Sequence, residues 1–486
     1  MGPEKIDVVV IGEGISGLAI GHWLKKQGIA FRLLAKETVP GGTMQSVREE
    51  GFLVEVGPNS ALETTPLFRE LVSDLALENE FTYAEPAGKN RYILRGGRLM
   101  ALPLSPPAFL TTKLFSTGAK LRVLKEPFVG RATEEESVAQ FVSRRLGREF
   151  MDYAIDPFVA GVFAGRPDRL SVRSAFPKLY ALEEKYGGLV KGMFRGARER
   201  KARAEKAKDR AETFSFRGGM QVLPKAIAAG LGSAIVADAR VTGIRDLAVD
   251  RQSREDEPGQ RRYLVEYLHH GRQEEIEADT VVFAVPAYEA ASVLRSFSRD
   301  TSTLLESIYY PPVLSIFLGF RRQDVGHPLD GFGFLVPTLE QRRILGCLWN
   351  SSLFVERAPA GHVAVTTFIG GARQPELTTL TDDEAVQTAV DELRGPMQIH
   401  GNPVYLKVSR WKRAIPQYEL GYARIMDALT AFENEHPGIV FAGNYRGGIS
   451  VGDCVRNSHE IAGDVGRRLT ATRQTVSMSH DESRSA

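Results

Sequence analysis

The chain has 486 residues, enough for about three domains or subdomains, and its 43% hydrophobic and 25% charged residues describe a globular protein, not a disordered one. The 62 Lys and Arg against 60 Asp and Glu leave a net charge of +2, so no global field draws the chain to nucleic acid. Two cysteines, Cys347 and Cys454, are too few for a disulfide framework or a cysteine-rich metal site, and a reducing compartment is the expectation. Glycine is in excess at 47 residues, concentrated in a few loops.

The start, from Met1, runs into a strand pattern within a few residues, so no export signal is expected. Residues Ile6 to Ile11 read as a buried parallel strand, followed by Gly12-Glu13-Gly14-Ile15-Ser16-Gly17 and a helical pattern ending at Gly28. In that context Gly12 permits a tight turn, Gly14 lets the backbone approach a pyrophosphate, and Gly17 lets the helix pack close. The helix N-terminus then offers N–H groups and a positive dipole end to phosphate.

A second strand, Phe31 to Ala35, completes the unit, but Ala35 stands where this fingerprint puts an acidic residue for the ribose hydroxyls. Lys36 and Glu37 follow; either Glu37 reaches back to the ribose or water substitutes. Next come Gly41-Gly42-Thr43 and then GFLVEVGPNS, with Gly57, Pro58 and Asn59. A diglycine soon after the second strand is a feature of FAD proteins of the glutathione-reductase and amine-oxidase type. No second G-x-G-x-x-G follows a strand downstream, so no separate nicotinamide domain is expected and the electrons come from a substrate directly.

From Leu104 to about Phe216 the pattern is largely helical, ending in a charged run, Arg195 to Phe214, that reads as a solvated helix. Within it, Ala108 to Gly130 mixes Phe109, Leu110, Leu114, Phe115, Leu121, Val123, Leu124 and Phe128 with Lys113, Lys120, Arg122 and Lys125, which suits either a basic amphipathic surface for anionic lipid or a core helix. Asp279 to Ala287 is a buried strand stopped by Pro286. Strands between about Val293 and Gly421 predict a mostly antiparallel sheet over the cofactor. The longest largely uncharged apolar stretch, Ser307 to Phe320, falls short of the ~18–20 residues of a membrane helix, and no transmembrane span is expected. Gly438 to Arg456 gives a strand, a glycine-rich turn and a second helix N-terminus aimed at the flavin. The polar final stretch is expected to be disordered. The nine histidines show no H-E-x-x-H spacing, no G-x-S-x-G elbow is present, and neither a metal nor a covalent mechanism is expected.

Taken in order, GFLVEVGPNS, DPFVAGVFAGRPDRLSVRSAFPKL (Asp156 to Leu179), SFRGGMQVLP, TTFIGGARQ, RWKRAIPQY and AGNYRGGISVGDC resemble the oxygen-dependent protoporphyrinogen oxidases, flavin enzymes of late haem biosynthesis, along nearly the whole chain. The resemblance implies a mixed α/β fold: a Rossmann-like FAD domain (1–87, 211–292 and 426–470), an antiparallel-sheet substrate domain (88–103 and 293–425), a helical membrane-associated insertion (104–210) and a tail (471–486).

It implies removal of six electrons from a porphyrinogen, with oxygen as acceptor and hydrogen peroxide as product. Coproporphyrinogen oxidation is the near alternative; an amine oxidase or carotenoid-type desaturase is the distant one. FAD would be held by Gly12, Glu13, Gly14, Ile15, Ser16, Gly17, Lys36, Glu37, Gly41, Gly42, Thr43, Gly57, Pro58, Asn59, Val241, Ala284, Gly443, Asn444, Ile449, Val451 and Gly452. Arg91 would bind a propionate, Leu335 and Leu348 would pack one face of the macrocycle and Phe368 the other, with Asn59 and Gly161 at the rim of the reacting ring. No dedicated base is implied. Partners implied are the cytoplasmic membrane surface, a second copy of the chain and ferrochelatase, the next haem-pathway enzyme.

Overall fold

The computed structural model describes residues 2–192, 211–247 and 262–485. Strand β1 (Glu4–Ile11) is apolar and β-branched over its last four residues, and all four are buried. It turns at Gly12 into helix α1 (Ile15–Lys26), whose apolar side is buried against the sheet, and the chain returns as β2 (Phe31–Leu34), parallel to β1 with Val8 opposite Phe31.

The long strand Arg272–Phe283 pairs with β1 in parallel on one side, and Ile439–Phe441 adds a further parallel strand beyond it. The antiparallel pair Ala239–Asp246 and Tyr263–His269 and the short strand Ile235–Val236 complete seven strands. The first residues, the middle and the end of the chain thus meet in one sheet. Its two faces carry separate cores: Leu18, Trp23, Phe68, Phe214 and Val455 on one, Tyr263, Phe283, Leu294 and Tyr445 on the other.

A second seven-stranded sheet contains Val313–Arg321, Gly333–Leu335, Gly346–Leu348, His362–Gly370 and Tyr405–Trp411, with Tyr92–Arg95 and Arg98–Ala101 at its edge. It is antiparallel, as expected, except where Gly333–Leu335 runs parallel to Tyr92–Arg95. The stretch Ser307 to Phe320 is resolved by this sheet: eight consecutive buried residues, Val313 to Phe320, form an interior strand, second from one edge. Helix Asp382–Met397, closed by a Thr381/Glu384 capping box, covers the far face.

Three expectations need correction. The charged run from Arg195 lies mostly outside the described residues, and its end is not helical: Thr213–Phe216 is a strand pairing with Ala61–Leu62 and Phe81–Tyr83, because Phe214 and Phe216 drive into the core beside Phe68 and Phe81. The polar tail, expected to be disordered, belongs to a helix as far as Ser485. The last helix runs Val451–Ser485, since its first turns are anchored by Val455, Ala462, Val465 and Leu469 and extension of a formed helix costs little per residue. The segment Ala108 to Gly130 divides: Leu114 and Phe115 are buried, whereas helix Thr117–Leu124 buries none of its residues and Leu110, Leu121, Leu124 and Phe128 face solvent. Among the described residues no helix is long and apolar enough to cross a membrane.

Candidate functional site

The glycine turns converge at the carboxyl ends of the parallel strands, where ligands bind in open α/β sheets. Gly12 N–H donates to Leu34 O (3.0 Å), and a Cβ at Gly12 would lie 2.6 Å from Ala284 O. Gly17 packs its Cα on the Gly12 carbonyl. These two glycines are required by the protein's own packing. Gly14 is different: a Cβ there would meet no atom within 4 Å, and its φ of −71° suits any residue. That is the pattern of a position kept small for a ligand. Helix α1 begins at Gly14 with no side-chain cap and no acidic residue in its first turn, so its N–H groups suit a diphosphate.

Gly41 N–H donates to Glu13 O (2.9 Å), bringing Gly41-Gly42 beside Gly14, and Gly57 packs on the Thr43 carbonyl. Gly443 lies by Val285 O, Tyr418 donates to Asn444 O at 2.5 Å, and Ser458 Oγ donates to Ser16 O at 3.0 Å. Thr64 faces Gly452, and Ile449, Ser450 and Val451 lead into the last helix, where Ser450 Oγ accepts from Asp453 N–H (3.1 Å). This cradle fits the residues expected to hold FAD: the loops of both chain ends and Ala284 meet at one edge. Val241 lies on the strand bonded to Ala35 through Ala239 N–H (2.8 Å). The side chains of Lys36, Glu37 and Thr43 are exposed.

The residues expected to meet the substrate are gathered by register. Leu335 is opposite Gly346, which is opposite Phe368; Leu348 lies between Gly333 and Thr366. Paired positions share a face and the pleat alternates, so Leu335, Leu348 and Phe368 project from one side of three adjacent strands. They are half-buried, whereas their neighbours Phe334, Cys347, Thr367 and Ile369 are buried on the other side. All three therefore lie on one face of the sheet.

Opposite Leu335 stands Gly161, on helix Asp156–Phe163, and the same helix face carries the exposed Phe158 and Val162 at i, i+3, i+4 spacing. Sequence reasoning singled out Gly161 and missed this apolar pair, although its spacing was visible. A π-helical turn, Met151–Ile155, precedes this helix, a distortion frequent near functional sites.

Buried polar groups hold the two sides in place. Asp156 accepts from Thr338 N–H (2.7 Å), Thr338 Oγ1 (2.9 Å) and Arg373 Nη2 (2.9 Å), and Arg373 also donates to Val336 O (2.7 Å). The helix is thereby tied to the segments following Leu335 and Phe368. Asn350, 3% exposed, donates to Asn59 Oδ1 (2.6 Å) and accepts from Thr366 Oγ1 (2.9 Å), joining Asn59 to the Phe368 strand. Neither Asp156, Arg373 nor Asn350 was singled out from sequence.

Arg91 precedes strand Tyr92–Arg95 at the same sheet's edge, and its guanidinium lies 5.1 Å from the Phe332 ring centre. Surrounding protein lowers its pKa by desolvation, with no carboxylate beside it among the described residues. An unpaired guanidinium in such a place recruits an anion.

A model of the family described as flavin containing amine oxidoreductase matches residues 15–465. Protoporphyrinogen oxidase 2 of Arabidopsis thaliana, chloroplastic/mitochondrial, is 33% identical over 481 residues, covering 94% of this chain and 92% of that protein. Coproporphyrinogen III oxidase of Bacillus subtilis is 27% identical over 481 residues, covering 96% and 99%. The crystal structure of an Exiguobacterium protein, assigned as a protoporphyrinogen oxidase, superposes with a TM-score of 0.77 at 21% identity, over 96% of this chain and all of that one.

Proposed function

Because this chain belongs to the flavin containing amine oxidoreductase family, in its group of protoporphyrinogen and coproporphyrinogen oxidases, we propose that it oxidises protoporphyrinogen IX to protoporphyrin IX. Six electrons and six hydrogens leave the macrocycle, and three molecules of oxygen become three of hydrogen peroxide. When bound, FAD supplies the redox chemistry, accepting two electrons at a time from the macrocycle and passing them to oxygen.

The observation that carries the reading is Arg91, a guanidinium without a carboxylate partner among the described residues, beside the half-exposed apolar wall of Leu335, Leu348 and Phe368. The chain's own part is to bind and orient. Arg91 fixes a propionate, the apolar wall and the Phe158–Val162 helix face enclose the flat ring and exclude water, and Asn59, held by Asn350, sets the rim. Coproporphyrinogen III carries two further carboxylates where protoporphyrinogen has vinyl groups, and an apolar wall with one guanidinium favours the vinyl-bearing ring. The higher identity to the protoporphyrinogen oxidase points the same way.

The exposed apolar residues between Leu104 and Phe128, interleaved with lysines, support peripheral attachment to the cytoplasmic membrane surface. The test is turnover of both porphyrinogens in air, read by porphyrin fluorescence and oxygen uptake. Faster turnover of protoporphyrinogen, with three oxygens consumed per porphyrin, is expected; preference for coproporphyrinogen, or no porphyrin, overturns the assignment.

A further inference from the structure

Strand β2 ends one residue short of the position that should offer an acid to the adenosine ribose, and that position is Ala35. Ala35 is buried at 2% exposure, its N–H donating to Val236 O (2.9 Å) and its carbonyl accepting from Ala239 N–H (2.8 Å). Its methyl side chain has no means of binding a hydroxyl. Glu37, the next acid along the chain, is exposed. The Lys36 ammonium turns toward Glu289, 3.9 Å away.

A carboxylate nevertheless stands at the end of β2, supplied from the glycine turn. Glu13 lies between Gly12 and Gly14, its carbonyl fixed by Gly41 N–H, and its side chain is 9% exposed. Glu13 Oε2 accepts from the backbone N–H of Lys36 at 3.2 Å, placing the carboxylate one residue from Ala35.

We infer that Glu13 has taken over ribose recognition: its carboxylate accepts hydrogen bonds from the adenosine ribose hydroxyls of FAD in place of the acid that Ala35 lacks. Two features make the substitution chemically coherent. An ionised carboxylate has about four acceptor sites, and the Lys36 N–H and its own N–H leave others free for hydroxyls. Burial pushes the Glu13 carboxyl above its ordinary value, its own N–H and that of Lys36 offset this in part, and hydroxyl donors act in the same direction as those N–H groups. The acid and the alanine are thus two halves of one exchange, the carboxylate moved from the second strand to the first turn.

The inference rests on FAD as the cofactor, so the full-length protein is first shown to bind it. Dissociation constants for FAD and for its adenosine 2′,3′-dideoxy analogue are then measured by flavin fluorescence in the wild type, Glu13→Ala and Glu13→Gln. Wild type should prefer FAD over the analogue by roughly 10- to 100-fold, as for hydrogen bonds to a charged acceptor. Glu13→Ala should bind the two equally, and Glu13→Gln should fall between.

A Glu13 that merely anchors Lys36 would weaken both ligands alike and leave their ratio intact. An undiminished preference for FAD in Glu13→Ala, or no preference in the wild type, overturns the inference. Should Glu13→Ala fold poorly, Glu13→Gln carries the same comparison. A protein that takes up neither flavin contradicts the cofactor assignment instead.

Discussion

Gly161 and the Leu335 side chain are in direct contact where helix meets sheet, so a β-carbon at 161 would occupy the place of Leu335 Cδ2. The obstacle is the far end of a flexible side chain, which can move. Gly161→Ala should fold normally and raise the porphyrinogen KM by roughly tenfold, about 1.4 kcal/mol of lost fit, with the flavin spectrum unchanged. A wild-type KM would remove this contact from the substrate site.

Gly14 and Gly17 are three residues apart and should respond in opposite ways. Gly17→Ala drives a methyl into the Gly12 carbonyl and should cost about 1–3 kcal/mol of stability in urea unfolding. Gly14→Ala meets no protein atom and should unfold like the flavin-free wild type, yet bind FAD roughly 100-fold more weakly. Equal effects on both properties would show that the two glycines have one role.

With Arg91 on a propionate, as proposed, Arg91→Ala would remove a charge-assisted contact distant from the reacting carbon. KM should rise roughly 10- to 100-fold with kcat little altered, and Arg91→Lys should recover part of the loss. A fall in kcat at constant KM would argue that Arg91 acts on the chemistry and not on binding.

His327 provides a pH test. Burial holds its imidazole below the ordinary value, against the opposing pull of Asp330, and its Nδ1 accepts from Leu329 N–H at 3.0 Å. The unfolded chain therefore takes the proton more readily, so stability is full above about pH 6.5 and declines as pH falls through it. The thermal midpoint should drop between about pH 7.5 and about pH 5.5, and more shallowly in His327→Gln. Identical profiles would mean that other groups set the decline.

Phe128, 89% exposed, and Leu124, 70% exposed, stand on the lysine-bearing segment. Replacing both with Ser should weaken co-sedimentation with vesicles containing phosphatidylglycerol by roughly tenfold, and leave porphyrinogen turnover in detergent unchanged. Equal co-sedimentation of the two proteins would exclude this segment as the contact.

The cradle was legible because its logic is local: an apolar strand, glycines at fixed spacing and a helix lie within 24 residues, Glu4 to Gln27. The apolar wall was not. Leu335, Leu348 and Phe368 share a face only through the register of three strands, and register depends on pairings that no single segment encodes. The same reason hid the Asp156–Arg373 pair, 217 residues apart, and the link between Asn59 and Asn350. Thr213–Phe216 was misread because the charged run before it continued a helical pattern, and only its aromatic partners in the core make it a strand. The Glu13 carboxylate lay in plain view within the motif, but the spacing of the fingerprint directed attention to Ala35 and Glu37.

The hydrogen bond from Ser458 to Ser16 has a consequence for biogenesis. A chain emerging from the ribosome amino end first completes β1, α1 and β2 early. The strand between β1 and Ile439–Phe441, and the helix that packs on α1, arrive only hundreds of residues later. Translation at about 5–20 residues per second leaves those nascent apolar surfaces uncovered for tens of seconds. A nascent-chain series arrested at increasing lengths should therefore acquire flavin abruptly, after the final helix clears the exit tunnel.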